Sequence, residues 1–296
     1  MTSRNSSLRL VFSGGTSPVW LVLVGILSVQ FGAGIAKSLF DEVAPTTIVW
    51  LRLATSAIVL VLVARPRLRG RTGSDWLVVL AFGVALGTMN WAIYQAFARI
   101  PLGVAVTLEF VGPLTLAVLG SRRPRDLLWV VLAGTGVALL GLGGGGSLTT
   151  AGVLFALLAG GCWAAYILLS AQTGRRWPGL DGLALASVVA TLLLTPAAVG
   201  VGGSDLLDPR VLVLGALVGL LSSVIPYSCE LIALRSLRPA VFSILMSLEP
   251  AAAALAGIVV LGEFLTVEQW VAMACVVVAS VGATRSSRAV MQPIPD

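Results

Sequence analysis

Five ionisable side chains stand inside long apolar stretches of this sequence: Lys37, Arg52, Glu109, Glu230 and Glu249. A charge at the middle of a bilayer costs at least about 2.5–3.5 kcal/mol on insertion scales. Each therefore marks either a pair that holds helices together or a site that handles ions. The sequence leaves both readings open. Glu109 and Glu249 carry a further signal. Pro113 follows Glu109 by four residues, and a proline in a helix cannot bond the carbonyl four residues back. The carbonyl of Glu109 is thereby freed. Pro250 frees the carbonyl of Met246 and directly follows Glu249. Two kinked helices would each offer a loose carbonyl and a carboxylate. A carboxyl withdrawn from water holds its proton more readily, so both could exchange protons near neutral pH.

Polar stripes at helical spacing surround these residues. They are Gln30, Gly34 and Lys37; Arg52, Thr55 and Ser56; Asn90 with Tyr94, beside Trp91 with Gln95; Trp163, Tyr166 and Ser170; Pro226, Tyr227 and Glu230; and Ser243 with Ser247 before Pro250. Serine and threonine often only join helices. The convergence of six stripes points to one shared cavity. Trp20, Trp50, Trp76, Trp129, Trp177 and Trp270 fall near segment ends, where tryptophan anchors to the membrane interface. Trp91 and Trp163 fall deeper. Gly83 with Gly87 and Gly215 with Gly219 read as packing seams.

The elements that must position these residues are membrane helices. Of 296 residues, 57% are hydrophobic and 11% charged. The mean hydropathy is +1.00. Soluble chains carry about 25% charged residues. That excludes a soluble enzyme, a disordered chain and a nucleic-acid-binding domain. Ten apolar segments are predicted, at 18–36, 45–64, 76–98, 101–119, 127–143, 151–171, 183–202, 211–233, 240–261 and 267–284. With both termini cytoplasmic, alternation places 15 of the 19 cationic residues on the cytoplasmic side and only Lys37, Arg99 and Arg210 outside. That bias follows the positive-inside rule and accounts for the +6 net charge without a nucleic-acid partner.

The chain also repeats. Residues 76–120 slide onto 213–257 at an offset of 137, matching Leu80 to Leu217, Ala96 to Ala233, Val104 to Val241 and Pro113 to Pro250. A five-helix unit crosses the membrane an odd number of times, so two copies in series run in opposite senses. Inverted repeats with a binding site near the midplane are a secondary-transporter architecture. The expected division is a cytoplasmic segment at 1–17, a first repeat at 18–143, a glycine-rich linker at 144–150, a second repeat at 151–284 and a cytoplasmic tail at 285–296. The fold class is all-α and polytopic.

Several chemistries are excluded by inventory. The chain has no histidine, which removes imidazole relays, triads and histidine metal sites. Cys162, Cys229 and Cys275 each lie in an apolar run and suggest no disulfide framework. The stretch GAGIAKS at 32–38 has Ala36 where a phosphate loop needs glycine before its lysine. The glycine run at 143–146 follows no strand. No nucleotide, cofactor, metal or catalytic residue is expected.

The stretches QFGAGIAKSLF (30–40), WLRLA (50–54), IPLGVAVTLEFVGPL (100–114), SRRPRD (121–126), GCWAAYIL (161–168), IPYSCELIALRSL (225–237) and MSLEPAAAALAGIVVLGEFLT (246–266) resemble the threonine/homoserine exporters. These form part of the EamA branch of the drug/metabolite transporter superfamily. The second half ends in Gly262–Glu263, as that branch does, whereas the first has Gly120–Ser121. The resemblance implies proton-coupled export of small neutral amino acids across a bacterial inner membrane, with protons, lipid and the amino acid as partners. A zwitterion needs a cationic or amide partner for its carboxylate, for which Lys37, Gln30 and Asn90 are candidates. Glu109 or Glu249 could take its ammonium. Arg52, Trp91, Tyr94, Trp163, Tyr166, Tyr227 and Glu230 complete the expected binding residues. Pro113, Pro226 and Pro250 are the expected kinks. The alternative is an efflux pump for other small metabolites or lipophilic cations, which a buried lysine or arginine would disfavour.

Overall fold

The computed structural model describes residues 18–119, 127–142, 148–234, 237 and 239–286. These residues form helices and no strand. In chain order they are α1 (Pro18–Ser38), α2 (Pro45–Ala64), α3 (Gly73–Phe97), α4 (Leu102–Glu109), α5 (Val111–Leu119), α6 (Leu127–Leu142), α7 (Thr150–Arg176), α8 (Asp181–Gly202), α9 (Pro209–Gly219), α10 (Ile225–Leu234), α11 (Pro239–Met246), α12 (Glu249–Ala256) and α13 (Val267–Ser286). Eight helical runs among them are long and apolar enough to cross a membrane. Two shorter apolar helical stretches, Leu102–Leu116 and Leu127–Leu139, accompany them. The chain is a multi-pass membrane protein. Arg4, Arg9, Arg122, Arg123, Arg125, Arg235, Arg238 and Arg288, with Gly120, Ser121 and the glycines at 143–146, lie outside the described residues.

Sequence chemistry sets the helix boundaries. Pro45 and Pro209 occupy first-turn positions, where a missing N–H costs nothing. Thr72 and Asp75 cap α3 reciprocally through side chain and backbone. Gly262 ends the α12 run with φ at +67°, a conformation that needs no Cβ.

The proline kinks break their helices at matching places. The break between α4 and α5 is at Phe110, three residues before Pro113. The break between α11 and α12 is at Ser247 and Leu248, starting three residues before Pro250. Phe110 and Ser247 are 137 residues apart, the same offset that aligns the two halves of the sequence. A third irregularity precedes Pro226. The π-helical turn Leu220–Val224 joins α9 to α10.

Packing crosses between the halves. Helix α1 lies on α10 and α12, α2 on α8 and α9, and α3 on α7 and α8. Helix α4 lies on α7 and α12, and α6 pairs with α13. Small residues make the closest crossings. Gly83 and Gly87 face Val189 and Ala190 on α8, while Gly215 and Gly219 face Leu51 and Thr55 on α2. The apolar side chains Ile58, Leu62, Leu192, Val201 and Phe264 point outward, toward lipid.

At one end of the bundle, Arg176 pairs with Asp75 at 3.3 Å, and Arg71 lies over the Trp177 ring at 4.4 Å. Trp177 donates its indole N–H to the carbonyl of Asp75 and is 1% exposed. It is therefore a buried joint of α3, α7 and α8, not the interfacial anchor its place in the sequence suggests. Trp20, by contrast, is 64% exposed.

Candidate functional site

The site is built around Arg52, midway along α2 and buried. Its acceptors come from the irregular turn before Pro226. In that turn the Ile225 N–H reaches back to the carbonyl of Leu220, and Pro226 has no N–H to give. The carbonyls of Leu221 and Ser222 are thus released from the helical ladder. Ser28 of α1 donates to Leu221 O at 2.6 Å. Arg52 Nη2 donates to Ser222 O at 3.0 Å, and Arg52 Nε donates to Ser223 Oγ at 3.3 Å. The guanidinium is held by neutral oxygens, and its Nη1 has no hydrogen-bond partner among the described residues. Tyr94 lies beneath it, with the ring centroid 5.6 Å from Cζ. The Tyr94 hydroxyl is buried and unpartnered among the described residues.

Three carboxylates and two further tyrosines share this region. Arg52 is near enough to act electrostatically on Glu109 and Tyr227. Glu249 is within such range of Glu109 and Glu230, and Tyr166 of Tyr227 and Glu230. No hydrogen bond or ion pair joins Glu109, Glu230 or Glu249 to the described residues. One cation and three carboxylates in a low-dielectric bundle leave negative charge unbalanced, so protons or a cationic ligand must complete the site.

The helix breaks set the depth of two carboxylates. Glu109 ends α4 and Glu249 begins α12. Gly160 lets α7 close on the freed carbonyl of Glu109. A methyl at Gly160 would stand 2.6 Å from that oxygen, and one at Gly112 would collide with the Gly160 carbonyl. Trp163 packs edge-on against Phe110, the residue at the break. Tyr166 packs at a tilt against Phe82 and, with Ser170, Thr173 and Trp177, lines a cavity of about 190 Å³ between α3, α7 and α8.

Relatives give this arrangement its setting. The chain is 42% identical over 277 residues to the threonine/homoserine exporter RhtA of Escherichia coli strain K12, covering 92% of this chain and 94% of that protein. Identity to the RhtA of Salmonella typhimurium strain LT2 is 40% over the same length. Residues 150–285 match the EamA-like transporter family. The chain belongs to the EamA-like transporter family. A solved crystal structure 19% identical in sequence shares the fold, with a TM-score of 0.62 over 92% of this chain and 99% of its own. Membership makes the chain a transporter rather than an enzyme.

In this EamA-like transporter the structure brings together Arg52, Tyr94, Glu109, Tyr166, Tyr227, Glu230 and Glu249, with Trp163 flanking Glu109 through Phe110. Other expected residues sit elsewhere or are otherwise engaged. Lys37 pairs with Glu263 Oε1 at 2.5 Å and donates to Ile100 O at 2.8 Å, near the far end of α1. Of the two roles the sequence leaves open for Lys37, pairing or binding, it takes the first, with Glu263 in the turn that follows α12. Asn90 donates its amide to Leu86 O at 2.9 Å within its own helix. Trp91 donates to Thr46 Oγ1 at 3.3 Å and meets Phe155 edge-on. Gln30 is buried on α1. Ser247 faces Ser280 of α13 at 2.9 Å, which makes it a helix joint.

Ser28, Ser222 and Ser223 escape a sequence reading centred on charges. A signal existed: the rule that frees the carbonyl of Glu109 before Pro113 frees that of Ser222 before Pro226. What the sequence lacks is any sign that an arginine 170 residues earlier would take it.

Proposed function

We propose that this transporter exports small neutral amino acids of the threonine and homoserine kind, by proton-coupled alternating access. The carrying observation is Arg52, a cation held only by neutral oxygens, within electrostatic range of Glu109, which in turn shares a cluster of unpartnered carboxylates with Glu249 and Glu230. A zwitterion matches that charge pattern. Its carboxylate would meet Arg52, and its ammonium would meet Glu109, Glu230 or Glu249. The cationic role passes from Lys37 to Arg52, because Lys37 already has Glu263. The relatives named threonine/homoserine exporter support the substrate class. Protons competing for the same carboxylates would reset the carrier.

The proposed architecture is ten spans in two inverted five-helix repeats. The paired helix breaks 137 residues apart support it. So does the packing. Exchanging the halves turns the α1–α10 contact into α7–α3, and the α2–α9 contact into α8–α3. The α2–α8 and α6–α13 contacts map onto themselves. Arg65, Arg67, Arg69 and Arg71 after α2 and Arg175 and Arg176 at the end of α7 share one end of the bundle, which is proposed to be cytoplasmic, with Arg285 on the same side by alternation, in a bacterial inner membrane with both termini inside. Radiolabelled threonine uptake into proteoliposomes, with and without a pH gradient, tests the reading. Stimulation by an opposing proton gradient is expected, and uptake indifferent to the gradient would remove the coupling.

A further inference from the structure

A guanidinium offers five N–H donors along two usable edges. One edge is formed by Nε and one hydrogen of Nη2. The other is formed by Nη1 and the second hydrogen of Nη2. In Arg52 the first edge is closed by Ser223 Oγ at 3.3 Å and Ser222 O at 3.0 Å. The second edge is left free to grip a carboxylate with two parallel bonds. That choice of edge is not made by Arg52 alone. Ser222 O is available because residue 226 is proline and because the turn Leu220–Val224 is π-helical. Close packing fixes the turn itself. A methyl at Gly219 would stand 2.7 Å from Thr55 Cβ, and Ser28 holds the neighbouring carbonyl of Leu221.

We propose that Pro226 and Ser223 are positioning residues for carboxylate recognition: they hold the side edge of the Arg52 guanidinium so that its end edge faces the substrate, which makes a free carboxylate a requirement for binding. The inference rests on the proposed reading of Arg52 as the substrate's anion partner. It adds that the selectivity is set on α10 and the turn before it, by residues that do not touch the substrate. With an N–H restored at position 226, Ser222 O would return to the helical ladder and the guanidinium would be free to swing. Without the Ser223 hydroxyl, Nε would lose its acceptor. In either variant Arg52 stays charged but is no longer aimed.

The test compares two competitors of radiolabelled threonine binding to the purified full-length protein in lipid nanodiscs. One is unlabelled threonine, and the other is threoninamide, which keeps the ammonium and side chain but has no carboxylate. The wild-type protein should prefer threonine by roughly a hundredfold, as for loss of a charge-assisted contact. Pro226→Ala and Ser223→Ala should each reduce that preference to about tenfold or less. The ratio is read on folded protein, so altered yield does not affect it. Pro226→Ala also supplies a strong helix former and should not lower thermal stability. If the wild type shows no preference, or if Arg52→Gln keeps it, the reading of Arg52 fails. If Arg52→Gln abolishes the preference while Pro226→Ala and Ser223→Ala both keep it, Arg52 binds the carboxylate and the positioning inference is overturned.

Discussion

Replacing Lys37 with methionine tests whether that residue is a structural pair member or a binding group. Its ammonium joins Glu263 Oε1 and Ile100 O, while Glu263 Oε2 accepts from the N–H of Leu102 at 2.8 Å. The pair thus ties together the end of α1, the start of α4 and the turn after α12. Exposed ion pairs are worth about 0–1 kcal/mol. Stranding one partner of a buried pair costs about 3–5 kcal/mol. The Lys37 and Glu263 side chains are 16% and 20% exposed, which puts this pair between those limits. A loss of about 2 kcal/mol is expected for Lys37→Met. Glu263→Gln keeps an oxygen for Leu102 and should lose less. The double variant should be little worse than Lys37→Met, for a coupling of about 1–2 kcal/mol. Thermal unfolding of the detergent-purified variants measures this, and threonine affinity of the folded fraction should stay near wild type. Additive effects on stability, together with a large loss of affinity, would refute the pairing and return Lys37 to the binding site.

Glu249→Gln and Glu109→Gln remove a proton-binding group while keeping size, so each should abolish pH-driven uptake into inside-out vesicles and leave some threonine-for-threonine exchange; full gradient-driven transport by the double variant would move the search to Glu230. Gly160→Val should lower thermal stability by about 1–3 kcal/mol through overpacking against the Glu109 carbonyl, whereas Gly161→Val, at a position open to its surroundings, should change it little. Thr72→Ala should remove about 1 kcal/mol by deleting the cap of α3, seen as a lower unfolding temperature with transport retained. Thiol labelling from outside intact cells should miss a cysteine placed at Arg69, and labelling there would reverse the orientation.

The helices were legible because a bilayer demands long apolar runs, and their ends follow from proline, glycine and capping residues. The segment predicted at 45–64 and α2 coincide, and the one at 267–284 falls within α13. The breaks at Phe110 and Ser247 were legible because proline acts locally, on a bond within its own helix. Partner choice is not local. Nothing near Lys37 indicates that Glu263, held after the left-handed Gly262, will meet it rather than a glutamate of the kinked helices. Trp177 shows the same limit, since a position at a helix end cannot distinguish a lipid-facing anchor from a ring covered by Trp76 and Arg71. The charge cluster was visible as a set of costly residues, but its geometry depends on crossings between the two halves.

On the proposed reading, Arg52 and the nearby carboxylate cluster bind a zwitterionic amino acid. Counterflow of radiolabelled threonine in proteoliposomes loaded with excess unlabelled threonine, comparing wild type with Arg52→Gln, tests it most directly. Robust counterflow is expected in the wild type, with a loss of at least tenfold in Arg52→Gln at unchanged protein content. Equal counterflow by the two proteins would contradict it.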